Sequence, residues 1–498
     1  MGLAIQQEEF TPEEHERFVQ RLAESLEALR ALLKRPGFGV GPTTMGAELE
    51  VYLVDGAGHP LPVNQQVLAR TQDDRVTLEL NRFNMEANVR PSLLAGRPFT
   101  ALRVELEDVL KELQRASALE GARVAAIGIL PTLRQADLGK GALTQQPRYR
   151  ALNTAIRKRR DGPFQVAIAG DDTLNLTWDD VTLEGANTSL QYHLRVAPED
   201  FARVYNAAQL ATAPVLAAAG NSPLFLGKRL WEETRVALFQ QATDDRSESA
   251  DEAAHLHPRV TFGHGWVREG VHELFAEAVA LYPPLLPVLG KEDSPLDIVA
   301  AGGVPALEEL RLHQGTVWCW NRAIYDPHGD GHVRIEFRAL PAGPTVVDMV
   351  ANGAFLLGLT LGLAERMDAL LPALPFWQAR RNFKQAAMRG LDAVMLWPAE
   401  VAPSPRPMPV VELVKHLLPI ARRGLTEHGV DASEADAMLD IIAQRVALRR
   451  TGARWQREVL ARLEAHMPRQ DALAALLERY LHHSDSGLPV HTWPVESP

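Results

Sequence analysis

The chain has 498 residues, 46% of them hydrophobic and 23% charged, which is enough for one large core or two ordinary ones. A formal net charge of -11 gives no global attraction to nucleic acid or anionic lipid, so neither is an expected partner. The single cysteine, Cys319, excludes an intramolecular disulfide and suits a reducing compartment, making the cytoplasm the expected location.

The first element expected is a helix with Thr11 as N-cap, Pro12 in its first turn and Glu14 closing a capping box, carried by Phe18, Leu22, Leu26 and Leu29 as far as Pro36. The residues before it lack the basic head and apolar run of a secretory signal. Strands are expected at 45–54, 76–81 and 85–89, then a helix at 99–120 and a strand at 123–130 ended by Pro131. The basic run 157–162, RKRRDG, reads as a solvated turn. Further strands are expected at 164–168, 187–196, 315–325 and 332–339, with helices at 199–219, 266–281, 345–365 and 376–393. Segment 240–262 is acidic and nearly free of aliphatics, so a surface loop or lid is expected there. The most apolar stretch, 354–364, falls short of the ~20 residues of a membrane span and reads as a buried helix. A proline-rich joint at 402–409 places the boundary between a catalytic body, 1–400, and a helical extension, 401–498. Leu413, Leu417 and Ile420 give that extension an amphipathic face, a candidate homo-oligomer contact.

Alternation in a strand puts Glu48 and Glu50 on one face, with Leu49 and Val51 on the other. Alone, such a pair is more often the wet face of an edge strand than a metal site. Arg334, Glu336 and Arg338 alternate in the same way, and two guanidiniums beside a carboxylate either form a surface charge ladder or present forked donors to phosphate. Glu79 and Glu86 share a face only if residues 81–84 form a turn between them. His193, with Gln191 and Arg195 at period two, is by itself an ordinary strand histidine. If these groups converge, the five carboxylates repel by ~4 kcal/mol per close pair and demand a cation. Oxygen donors with one imidazole suit magnesium or manganese rather than zinc or copper. Trp318 and Trp320 should share the face of Arg322, with Cys319 pointing away. His255, His257 and His264 lack the spacing of a second metal site.

The order E-x-E, E-x6-E, a strand ending in histidine, then R-x-E-x-R resembles the glutamine synthetase superfamily, and more closely its glutamate-cysteine ligase and carboxylate-amine ligase branch, over residues 45–395. The turn Asn221 to Pro223 leading to Arg235, the run Trp320-Asn321-Arg322, and Asn382 followed by Arg389-Gly390-Leu391 resemble the same branch. The resemblance implies one metal held by Glu50, Glu79 and Glu86 and a second by Glu48, His193 and Glu336. It implies that Arg338 meets the transferred phosphate, with Arg322 and Arg334 as further catalytic arginines. Substrate binding falls to Arg235, as a clamp on an α-carboxylate, together with Asn221 and Gln191. This sequence has Gln191 where several relatives carry a second histidine. It also lacks the G-x4-G-K-[ST] loop, so ATP would lie on the sheet's cationic face.

These readings converge on an α/β (α+β) fold. Its sheet is largely antiparallel and, by the resemblance, curved with metals on the concave face, with helices behind and a helical C-terminal extension. The expected activity is ATP- and Mg-dependent joining of a carboxylate, first the γ-carboxylate of glutamate, to an amine, first cysteine, through an acyl phosphate. Two rivals stand beside it: a phosphotransferase of guanidino-kinase type on the same fold, and a regulatory protein that binds nucleotide or metal without turnover.

Overall fold

The computed structural model describes residues 5–246, 256–398 and 405–495. Its centre is a seven-stranded sheet of β1 (Thr44–Val54), β2 (Val76–Leu78), β3 (Asn84–Leu93), β4 (Arg123–Ala125), β5 (Leu190–Val196), β6 (Asn321–Asp326) and β7 (His332–Phe337). The strand order is β6-β7-β5-β1-β3-β2, β4 pairs with the end of β1, and every pairing is antiparallel.

The helices that bear on the site and its support include α1 (Pro12–Leu33), α2 (Pro98–Ala118), α3 (Phe201–Ala219), α4 (Val346–Ala364), α5 (Phe376–Arg389), α6 (Val410–Glu427), α7 (Ala432–Ala447), α8 (Gly452–Glu464) and α9 (Arg469–Asp485). The N-cap of α1 is Thr11 with a complete capping box through Glu14, as its sequence requires. One face of the sheet is apolar: Leu49, Val51, Met85, Ala87, Leu194, Ile335 and Phe337 are all buried. Tyr192 belongs to that face and donates its hydroxyl to the carbonyl of Met349 on α4 at 2.8 Å, so the helix is pinned directly behind His193. Helix α4 is long and apolar enough to cross a membrane, but 94% of its most apolar window lies buried inside the fold, which makes it the core helix expected of 354–364.

Two large hydrophobic clusters fill the interior. The first joins the sheet's apolar face to α1, α2, α3, α4 and α6; the second gathers Tyr52, Val54 and Phe83 against Trp455, Tyr480 and Trp493 of the C-terminal region. The region after the proline-rich joint is helical as expected. It does not stand apart, since Val410, Leu413 and Leu417 enter the first cluster and α8 and α9 the second. The boundary placed at 400 lies outside the described residues, as do residues 247–255 of the expected surface loop, with His255; the rest of that segment is not a surface loop, since 240–242 end a helix, Val260–Thr261 is a strand, and Thr243, Asp245 and Arg259 are buried.

Three local expectations change. The strand from 123 ends at Ala125, three residues in. The basic run ends a helix, Pro147–Arg160, and is no solvated turn: Arg160 is 8% exposed and donates to the carbonyls of Pro163 and Asp244, while Arg159 pairs with Asp245. The run 315–325 is broken by a bend at Trp320, which binds the Thr261 carbonyl through its backbone N–H; alternation therefore stops there. Trp320 packs against Phe239 and Phe383, and Cys319 lines the same small cavity as Arg322 instead of facing away.

Candidate active site

The polar face of the sheet is assembled by register. Glu50 sits opposite Glu86, Glu48 opposite Gln191 and Asn88, His193 opposite Glu336, and Glu336 opposite Arg322, and residues directly opposite share a face. Glu79 follows β2 two residues after Thr77, whose partner is Glu86; a turn at Asn81–Asn84, closed by the Asn84 N–H on the Asn81 carbonyl at 2.9 Å, returns the chain to β3. All six side chains named from the sequence come together as two trios, Glu50, Glu79 and Glu86, and Glu48, His193 and Glu336. Within each trio one donor atom per residue lies within 4.8 Å of the others.

The electrostatics differ between the trios. Burial works against the charge on Glu336, but Arg322, Arg338 and His193 outweigh it and hold the carboxyl far below the usual range. Burial likewise opposes charge on Glu48, and His193 at 3.0 Å lowers it again. The other trio has no such cation in contact. Burial and then Glu86 raise Glu79 well above the carboxylate range, and burial followed by Glu48 pushes Glu86 up to about 7. Burial and mutual repulsion raise the carboxyls of Glu50, Glu79 and Glu86, as expected of a site whose negative charge a hard cation would balance, and the donor set fits magnesium or manganese.

The surrounding polar groups divide into those already committed and those with capacity left. Arg322 grips Glu336 with both prongs, at 2.7 and 3.1 Å, and so orients that carboxylate. Arg334 donates Nε to Nδ1 of His193 at 3.1 Å and pairs with Asp326. Since Nδ1 accepts, the ring proton is on Nε2, which donates to Glu48; ligation of a cation through Nε2 requires that proton to move and Arg334 to turn away. Gln191 is 2% exposed and joins the two trios: its amide nitrogen donates to Glu50 at 2.9 Å and its oxygen accepts from Arg338 at 2.6 Å. One of its amide N–H donors and one oxygen lone pair thus hold the two trios together. Arg338 touches Glu336 and Gln191 through one nitrogen and leaves Nε without a partner.

Asn221 is placed elsewhere. Its amide donates to the Ala342 carbonyl and the Tyr480 hydroxyl, both at 2.8 Å, and its oxygen accepts from Gln456, so it ties the fold together and has no donor left for substrate. Arg235 is 3% exposed and held through Nη1 by Glu233 and the Ala339 carbonyl, with Nε unpaired. One neighbour went unread in the sequence: Glu184, in the 3-10 turn Val181–Ala186, whose carboxyl burial and then Glu50 push up to about 8. A lone glutamate in a turn has no periodicity to announce it.

A family model described as glutamate-cysteine ligase family 2 matches residues 44–478. A search of curated proteins finds no match. Among solved structures, a glutamate–cysteine ligase from Francisella tularensis, in complex with AMP, is similar with a TM-score of 0.54 at 11% identity, covering 92% of this chain and 91% of that one. A bifunctional glutathione synthetase from Pasteurella multocida is similar with a TM-score of 0.50 at 11% identity over 95% of this chain; the match spans 55% of that longer chain.

Proposed function

The chain belongs to glutamate-cysteine ligase family 2, a family of ligases that form C–N bonds, and from that premise we propose an ATP- and Mg-dependent carboxylate–amine ligase that activates the γ-carboxylate of glutamate as an acyl phosphate. Cysteine is the first candidate for the attacking amine. The observation that carries this reading is the pair of trios on one sheet face with a partly uncommitted arginine, Arg338, beside them.

The roles follow from charge flow. Phosphoryl transfer spreads negative charge over the transferred oxygens, and catalysis is mostly positioning and electrostatic stabilisation. Magnesium or manganese, held by Glu50, Glu79 and Glu86 and by Glu48, His193 and Glu336 when bound, supplies neutralising charge for the phosphates of ATP. Arg338 presents its Nε edge to the transferred phosphoryl group. Arg322 keeps Glu336 ionised and aligned. Gln191 couples Glu50 to Arg338, so the two trios hold one geometry. Arg235 offers its unpaired edge to a substrate carboxylate. ATP and a cytoplasmic location complete the proposal.

The test is product analysis of the purified protein with ATP, Mg2+, glutamate and a panel of amines. The expected products are ADP, inorganic phosphate and a γ-glutamyl amide. A phosphorylated acceptor, or ADP release indifferent to glutamate, overturns the reading in favour of phosphotransfer or idle hydrolysis.

A further inference from the structure

Glu50 and Glu86 sit opposite one another on β1 and β3, and each has one carboxylate oxygen already filled. On Glu50 it is Oε2, which accepts the Ser189 backbone N–H at 2.7 Å and the Ser189 hydroxyl at 3.0 Å, while Gln191 takes one position on Oε1. On Glu86 it is Oε1, which accepts the Asn88 amide at 2.7 Å and the Thr77 hydroxyl at 3.1 Å. A carboxylate oxygen has two lone pairs, so two donors saturate it. What remains for an ion is Oε2 of Glu86 and the rest of Oε1 of Glu50.

Register puts the Glu86 donors in place. Thr77 on β2 is the direct partner of Glu86, and Asn88 follows Glu86 by two on β3, so both lie on the polar face. Asn88 also reaches the Thr77 hydroxyl at 3.3 Å, so that hydroxyl accepts from Asn88 and is turned to donate to Glu86. Amide, hydroxyl and acid close a network in which two strands hold one carboxylate. Both donors are neutral, so they fix the direction of the acid without cancelling the charge that attracts a cation. Which cation such an acid accepts depends on how many oxygens it can give. Calcium takes roughly six to eight oxygens, often two from one carboxylate, whereas magnesium demands a tight octahedron and keeps waters. An acid with one oxygen saturated ligates through the other alone, which suits the octahedral ions and denies calcium its extra contact.

We propose that Asn88 and Thr77 are specificity-determining residues: by saturating Oε1 they restrict Glu86 to single-oxygen ligation, and the trio of Glu50, Glu79 and Glu86 thereby selects Mg2+ or Mn2+ against Ca2+. This rests on the metal assignment within the ligase reading and adds the means of selection. Neither residue touches the ion or the reacting atoms; both are positioning residues that act through Glu86.

The test is competition at equilibrium, which needs no turnover. The full chain is loaded with Mn2+ in the absence of nucleotide and amino acid, and Ca2+ is titrated in while bound Mn2+ is followed by electron paramagnetic resonance. Only an ion beside His193 couples to an imidazole nitrogen, so pulsed spectra separate the two trios. In the wild type, displacing the ions that lack this coupling should take a large excess of Ca2+. Thr77→Val, which keeps the shape of the side chain and loses the donor, and Asn88→Ala should each lower the required excess by about 10-fold, the smaller end of what partners of a metal ligand contribute. Thr77→Ser keeps the hydroxyl and should behave as the wild type. A residue that only supports the fold moves the melting temperature and leaves the ratio of Mn2+ to Ca2+ affinity unchanged. An unchanged ratio in either variant, an equal loss in Thr77→Ser, ready displacement by Ca2+ in the wild type, or no Mn2+ binding at all overturns the assignment. Failure of the ligase reading shows separately, as absence of the amide product in a protein that still selects Mn2+.

Discussion

Arg338 is where a single side chain separates catalysis from scaffold. Its bonds to Gln191 and Glu336 run through one nitrogen, leaving the Nε edge for a ligand, so Arg338→Lys keeps the charge but loses the fork. Turnover should fall about 100-fold while ATP affinity changes little, the pattern of an interaction made in the transition state. Normal turnover beside a lowered melting temperature would assign Arg338 to the fold instead. The acid trio makes a second residue-scale prediction. Glu86 titrates at about 7 in the fold against 4.5 unfolded, raised first by burial, so between those values the folded chain holds a proton that the unfolded chain has released. The metal-free stability governed by Glu86 is then full at low pH and falls as pH rises through 7, and Glu79, raised further, extends the loss upward. Magnesium displaces these protons, so its stabilising shift in melting temperature should be larger at about pH 8 than at about pH 6. A shift independent of pH would remove Glu79 and Glu86 from the metal site. Cys319, pushed up to about 12 by burial, should stay unalkylated under native conditions at neutral pH. Rapid labelling would show the cavity it lines to be open.

Elements decide what the sequence could reveal. Period-two alternation made the faces of β1 and β7 legible, because Glu48 and Glu50, or Arg334, Glu336 and Arg338, cannot change sides without shifting a whole apolar row. The turn between Glu79 and Glu86 was legible for the same reason. Alternation says nothing of which donors already have partners: Gln191, Asn221 and Arg322, expected at substrate or phosphate, are hydrogen-bonded to Glu50, to Tyr480 and to Glu336. It also fails where a strand bends, as at Trp320. Helix packing was the least legible level, since close contact depends on absent side chains. Helices α4 and α6 touch backbone to backbone: a Cβ on Gly424 would lie 2.2 Å from the Gly358 carbonyl oxygen and 2.5 Å from the Gly362 nitrogen. No rotamer relieves a clash with backbone, so Gly424→Ala should cost about 2 to 3 kcal/mol in denaturant unfolding. A cost below about 1 kcal/mol would mean that α6 can slide on α4 and that the contact is not fixed.

At the scale of the whole molecule, the question is whether the C-terminal helices form a detachable appendage or part of the body that carries the site. Three ties cross the joint. Arg445 on α7 pairs with Asp348 at 2.8 Å, and both side chains are essentially buried, so separating them leaves an uncompensated charge in the core. Tyr480 on α9 donates to the Ala126 carbonyl at 2.9 Å and accepts from Asn221, which in turn holds the Ala342 carbonyl just beyond β7. Trp455 and Trp493 stack edge to face at 5.0 Å within the cluster that contains Tyr52 of β1. Strand β1 carries Glu48 and Glu50 on one face, so the packing that steadies its far end belongs to the C-terminal helices. Unfolding in urea should therefore be one transition, seen alike by far-ultraviolet circular dichroism and tryptophan fluorescence. A fragment ending at 398 should fail to give a cooperative melt. Tyr480→Phe offers the milder probe: it removes one hydroxyl from a buried network and should destabilise by about 1 to 3 kcal/mol without altering substrate affinity. Two resolved transitions, or a folded and active 1–398 fragment, would instead make the helical region an independent domain, and the steadiness of β1 would have to come from β3 and β5 alone.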